Sequence, residues 1–122
     1  MGVTLHDSGE VESGGFTLTT EASLSDISTS GAYQLMIDTT NMAVGDRVRV
    51  DIYAKCLTGD TPEVVDWDEW AGVQDAKDRQ KLFRIIPTDL AESNCIQFRL
   101  TWLAGTVPTA GSGLNWKVMK IG

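Results

Sequence analysis

Apolar and polar residues alternate along several short stretches of the chain, most regularly from Asp46 to Lys55. Here Val48, Val50, Ile52 and Ala54 fall on one side, and Arg47, Arg49, Asp51, Tyr53 and Lys55 on the other. Successive side chains of a strand point to opposite faces, so this spacing makes one core face and one solvent face. A helix would scatter the same apolar residues around its circumference. Asn94–Leu103 repeats the pattern, with Ile96, Phe98, Leu100 and Trp102 expected inward and Gln97, Arg99 and Thr101 outward. Tyr33–Asp38 sets Tyr33, Leu35 and Ile37 on one face. Val3–Asp7 and Phe16–Thr20 are shorter alternations, the second rich in threonine, which suits a strand. Leu82–Ile86 reads as a strand ended by Pro87, and Leu114–Ile121 as a last strand with a blurred, bulged alternation. Val64–Trp70 fits either a strand that joins Val65 with Trp67 or a helix that joins Trp67 with Trp70; the strand is preferred.

Turn signals lie at Ser8-Gly9, Ser13-Gly14-Gly15, Gly45-Asp46 and Thr58–Pro62. The polar, serine-rich Glu21–Ser30 reads as a loop with one helical turn, Gly72–Lys81 as a loop or short helix, and Ala104–Gly113 as a long hairpin loop or arm. About eight short strands without intervening amphipathic helices predict an all-β chain. The expected architecture is a single antiparallel β-sandwich or jelly roll occupying residues 1–122.

Charge narrows the function. Ten basic against seventeen acidic residues give a formal charge of −7. Nucleic-acid binding needs cations facing phosphates, and an anionic membrane asks for the same, so neither is an expected partner. No apolar run reaches the roughly eighteen residues of a membrane span. The segment MGVTLHDSGE lacks a signal-peptide core, and His6 stands where a myristoylation signal wants Ser or Thr, which favours an intracellular or virion setting. Cys56 and Cys95 lack the spacing of a zinc or redox motif and read as two reduced thiols, with a single bridge between them as the alternative if their strands are neighbours.

Candidate chemistry is sparse. His6 is the only histidine, so it cannot build a two-histidine metal site, and a catalytic triad would have to be assembled around it alone. Neither GxxxxGK[ST] nor GxGxxG occurs. Asp66 and Asp68 are spaced like the start of a calcium loop, but Trp70 stands at the third ligand and Gly72 comes one place late. Expected, therefore, are no enzyme, no metal and no cofactor. Of the four tryptophans, Trp102 belongs to an inward row, whereas Trp67 and Trp70 flank acidic residues. Exposed tryptophans anchor protein interfaces or stack on sugars.

The run Gly31-Ala32-Tyr33-Gln34-Leu35-Met36-Ile37-Asp38-Thr39, followed by Asn41-Met42-Ala43, Gly45-Asp46-Arg47-Val48-Arg49-Val50 and then Tyr53 and Lys55, resembles the small capsid cement or decoration proteins of tailed bacteriophages. Phe98–Leu103, Ala104-Gly105-Thr106 and the Trp116 strand fit the same pattern, and the segment 64–81 fits it least. The resemblance implies a virion structural protein, made in the host cytoplasm, that binds the outer surface of the major capsid protein's shell as a homotrimer. The contacts it implies come from segment 1–7 with Val3 and Leu5, from loop 104–113 with Val107 and Pro108, and from Trp67 or Trp70. Two other functions fit the residues: a carbohydrate- or receptor-binding jelly-roll module with Trp67 or Trp70 as platform, and a tail or neck component.

Overall fold

The computed structural model describes residues 2–122; Met1, which opens the expected contact segment, lies outside them. Nine strands form: β1 (Val3–Val11), β2 (Ala22–Ile27), β3 (Gly31–Asp38), β4 (Arg47–Ala54), β5 (Glu63–Ala71), β6 (Gln80–Leu82), β7 (Ile86–Thr88), β8 (Ile96–Ala104) and β9 (Leu114–Ile121). They make two antiparallel sheets. Sheet A runs β1-β9-β3-β6, with β7 pairing further along β3; sheet B runs β2-β8-β4-β5.

The pairing is nested. β1 joins β9, β2 joins β8, β3 joins β6 and β7, and β4 joins β5. One long hairpin folded across two sheets gives this order, which is the jelly-roll arrangement of the β-sandwich. β6 and β7 together stand in for one strand, interrupted where the Phe83 amide donates to the Leu35 carbonyl at 3.0 Å.

The core lies between the sheets. Tyr33, Leu35, Ile37, Leu114 and Val118 enter it from sheet A, and Val48, Val50, Ile52, Ile96, Phe98, Leu100 and Trp102 from sheet B. These are the alternate positions expected of β3, β4 and β8. Each large side chain removed from water contributes roughly 1.5–3 kcal/mol, so these rows fix the register of their strands.

The remaining segments depart from expectation for local reasons. Glu21–Ser30 is not a loop, since Ala22–Ile27 forms β2. A register shift between Ser23 and Ser25 turns Leu24 and Ser25 both inward and so destroys the period-2 signal. Phe16–Thr20 is not a strand: Phe16 plugs the core from a turn, Thr19 has φ 66°, and its amide donates to the Trp102 carbonyl. Ser8-Gly9 does not turn, because β1 continues through it. The bare Gly9 makes room for the Trp116 ring, which would lie 2.9 Å from any Cβ placed there. β9 alternates cleanly from Leu114 to Val118; the bulge lies in β1, between Leu5 and Asp7. Pro87 sits inside β7 rather than ending a strand, which an edge strand tolerates. Gln97 and Thr101 face outward but are covered, since β8 is an interior strand of sheet B. Loop 105–113 is no hairpin; it carries the chain from sheet B to sheet A.

Candidate functional site

The outward positions of sheet A form cross-strand rows. One row runs Val3, Ile121, Ala32, Pro87, the next Leu5, Met119, Gln34, and the next Ser8, Lys117, Met36, Leu82. Directly opposed side chains in such rows touch, so the apolar members make one surface. Val3 is 61% exposed, Leu5 64% and Leu82 55%. A depression of about 320 Å³ crosses this face between Leu5, Met36, Asn115 and Lys117, with Asp38 and Gln80 at its far side. The Asp38 carboxyl is held below its usual range chiefly by the Thr40 hydroxyl, which donates to it, and by the Thr40 amide at 2.9 Å.

The outward positions of sheet B carry many charged groups that pair with one another, although Arg99 Nε is buried without a partner. Arg47 pairs with Glu69 across β4 and β5. Arg49 Nε donates to both Asp51 oxygens at 3.1 Å, and this partner raises the guanidinium's affinity for its proton. The Tyr53 hydroxyl donates to Glu21 at 2.9 Å, and Arg99 pairs with the same carboxylate at 3.3 Å. Burial first, and the Glu21 hydrogen bond second, push the Tyr53 phenol above its ordinary pKa. Trp67 lies over Arg49, whose guanidinium carbon is 4.4 Å from the ring centroid.

The expected contact residues separate. Val3 and Leu5 stand on the outer face of sheet A, and Trp67 is exposed on that of sheet B. Trp70 is not a surface platform. Three residues along a strand reverses the face, so Trp70 turns inward, 8% exposed, against Phe83 and beneath Lys81. Val107 and Pro108 are half-buried, with Val107 packed on the core. Their loop is fastened: Pro108 accepts from the Ser13 amide at 2.8 Å, and the Glu10 carboxylate accepts from the Gly111 and Gly113 amides at 3.0 Å.

His6 packs edge-on against the Tyr33 ring, with centroids 5.1 Å apart. Both cysteines are free: Cys56 is exposed, and Cys95 is buried with Sγ 3.0 Å from the Ile27 carbonyl. Several carboxylates of the acidic segment face cations, Asp66 toward Arg84 and Asp78 toward Lys81. Among the described residues, no group of three or more His, Cys, Asp or Glu side chains is placed to hold a metal. Sequence reasoning missed Met36, Leu82, Met119 and Ile121. The available signal was the apolar character of positions that alternate with core residues in three separate strands.

No family model, curated protein or solved structure matches this chain.

Proposed function

We propose that the protein is a virion structural protein of the tailed-bacteriophage type, a cement protein that binds the outer surface of the major capsid shell and stabilises it as a homotrimer. The observation that carries this reading is the apolar outer face of sheet A, with Val3, Leu5, Met36, Leu82, Met119 and Ile121 in contiguous rows on a chain of net charge −7. A large exposed apolar patch rimmed by polar residues marks a docking surface. A specific interface covers roughly 800 Å² on each partner, and the face of this five-stranded sheet is of that order. A ligand that binds only the mature shell stabilises it by mass action, with no chemistry required. An acidic chain suits the outside of a shell better than the side that lines packaged DNA.

The test is binding to expanded shells assembled from the major capsid protein of a tailed bacteriophage. Saturation at a fixed number of copies per shell is expected, with binding lost in a Leu5→Asp, Met119→Lys double variant that still folds. Failure of the wild-type protein to bind such shells would sink the proposal. The trimer is checked separately, by the mass of the protein free in solution and bound.

A further inference from the structure

Trp67 is the only exposed Trp, Tyr or Phe side chain among the described residues. It is also the only large apolar group facing out from the charged row formed by Arg47, Arg49, Asp51 and Glu69 on β4 and β5. A tryptophan placed there for stability alone would be covered, as Trp70, Trp102 and Trp116 are. Trp67 is instead held in an exposed pose. Arg49 stacks on it at 4.4 Å, and Arg49 is itself fixed by two hydrogen bonds to the buried Asp51 carboxylate. A ring that is ordered before its ligand arrives loses little entropy on binding.

The surface continues along β5. A register shift between Ile52 and Tyr53 leaves Val65 as an extra residue in β5, so Val64, paired with Tyr53, comes back to the face of Trp67, about 10 Å away at the usual rise of a strand. Beyond Val64 opens a cleft of about 520 Å³ between the β4–β5 connection and the start of β5, lined by Cys56, Asp60, Thr61, Glu63 and Val65 and by Lys55, whose ammonium already donates to Glu92 and to the Ser93 carbonyl. The strip is thus a flat π-face, a small apolar step and a cleft rich in hydrogen-bonding groups.

That sequence of surfaces matches a pyranose chain. The C–H face of a sugar ring stacks on an indole, and its hydroxyl rim donates hydrogen bonds to carboxylates and exchanges them with hydroxyl groups. A protein partner is matched less well, because hot-spot aromatics sit in desolvated apolar surroundings and Trp67 is ringed by ion pairs. Nucleotides and acidic sugars are disfavoured by the net charge of −7, by Asp51 and Glu69 on the face of Trp67, and by Asp60 and Glu63 in the cleft. We propose that the outer face of β4 and β5 binds a neutral pyranose glycan, with one ring stacked on Trp67 and the chain running over Val64 into the cleft at Thr61 and Glu63. This site lies on the sheet opposite the proposed shell-docking face, so one molecule can hold both occupants.

The experiment is affinity electrophoresis of the full chain through gels containing dextran, mannan, hydroxyethylcellulose or glycol chitin, with anionic alginate as the charged control. At least one neutral polymer should retard the protein, and alginate should not. Trp67→Ala should weaken that retardation about tenfold or more. Trp67→Tyr, which keeps a stacking face, should retain part of it. Leu5→Asp, on the other sheet, should migrate as wild type. Circular dichroism and thermal midpoints confirm that each variant folds; should Trp67→Ala fail to fold, Val64→Asp tests the same strip. The proposal is overturned if no neutral polymer retards the wild-type protein, or if Trp67→Ala is retarded equally. Loss of shell binding in Trp67→Ala without any glycan retardation would make Trp67 a protein contact and overturn it as well.

Discussion

The outer faces of the two sheets occupy equivalent places in the jelly roll and are built differently. An antiparallel sheet with one face on the core is expected to present polar residues on the other. Sheet B does so, and its polar groups answer one another: Arg47 with Glu69, Arg49 with Asp51, and Tyr53 and Arg99 with Glu21. Sheet A presents Val3, Leu5, Met36, Leu82, Met119 and Ile121 in rows that no other element covers among the described residues. The contrast separates two uses of surface. Side chains on sheet B are committed to each other and so contribute to stability. Those on sheet A are free of such commitments and can be changed without unfolding the domain.

The largest expected effect comes from the support beneath sheet A rather than from its face. A Cβ added at Gly113 would collide with the Val11 carbonyl, so backbone must move. That contact, together with the Glu10 carboxylate on the Gly111 and Gly113 amides, fastens β1 and its apolar residues to the body. Gly113→Ala should cost about 2–3 kcal/mol and lower the thermal midpoint by roughly 10 °C. Hydrogen exchange should show β1 and β9 losing protection before β4 and β8. Equal loss in both sheets would mean that the two faces cannot be disturbed separately.

The next effect tests commitment directly. Asp51 is buried beside Arg49, so Arg49→Ala leaves a carboxylate without its partner, at a cost of about 1–3 kcal/mol. Adding Asp51→Ala should recover part of that loss. On sheet A, Leu5→Asp and Met119→Lys should each change stability by no more than about 0.5 kcal/mol. Urea midpoints measure all four variants. If the sheet A substitutions proved as costly as Arg49→Ala, the apolar rows would be part of the fold rather than a free surface.

Why one face was legible in the sequence and the other was not follows from the pairing. β3, β4 and β8 announce themselves because Tyr33, Leu35, Ile37 and their counterparts alternate strictly against polar neighbours. β2 is hidden because its bulge turns Leu24 and Ser25 inward together. The apolar face is hidden for a different reason. Met36, Leu82 and Met119 lie in three strands far apart in the chain, and each stands where alternation assigns solvent. Only the nested pairing of β9 and β6 with β3 brings them into rows. Trp67 and Trp70 differ by a single fact, that three residues along a strand reverses the side chain's face. Once β5 is a strand, one of them must be inside.

The smallest effect uses pH, because sheet B's face carries a titrating partnership and sheet A's apolar rows do not. The Tyr53 phenol is raised above 10.0 by burial and by its hydrogen bond to Glu21. The protonated phenol is therefore the form favoured by folding. Its contribution is fully present below the unfolded tyrosine's pKa of about 10 and is lost as pH rises through the higher folded value. Stability measured in urea should thus fall as pH rises above about 10, and part of that fall should disappear in Tyr53→Phe, which cannot ionise. Leu5→Asp should leave the size of the alkaline decline unchanged. A decline of the same size in Tyr53→Phe would show that the Tyr53–Glu21 hydrogen bond does not link sheet B's outer face to folding. The ion pairs of Arg47 and Arg49 would then carry that link without it.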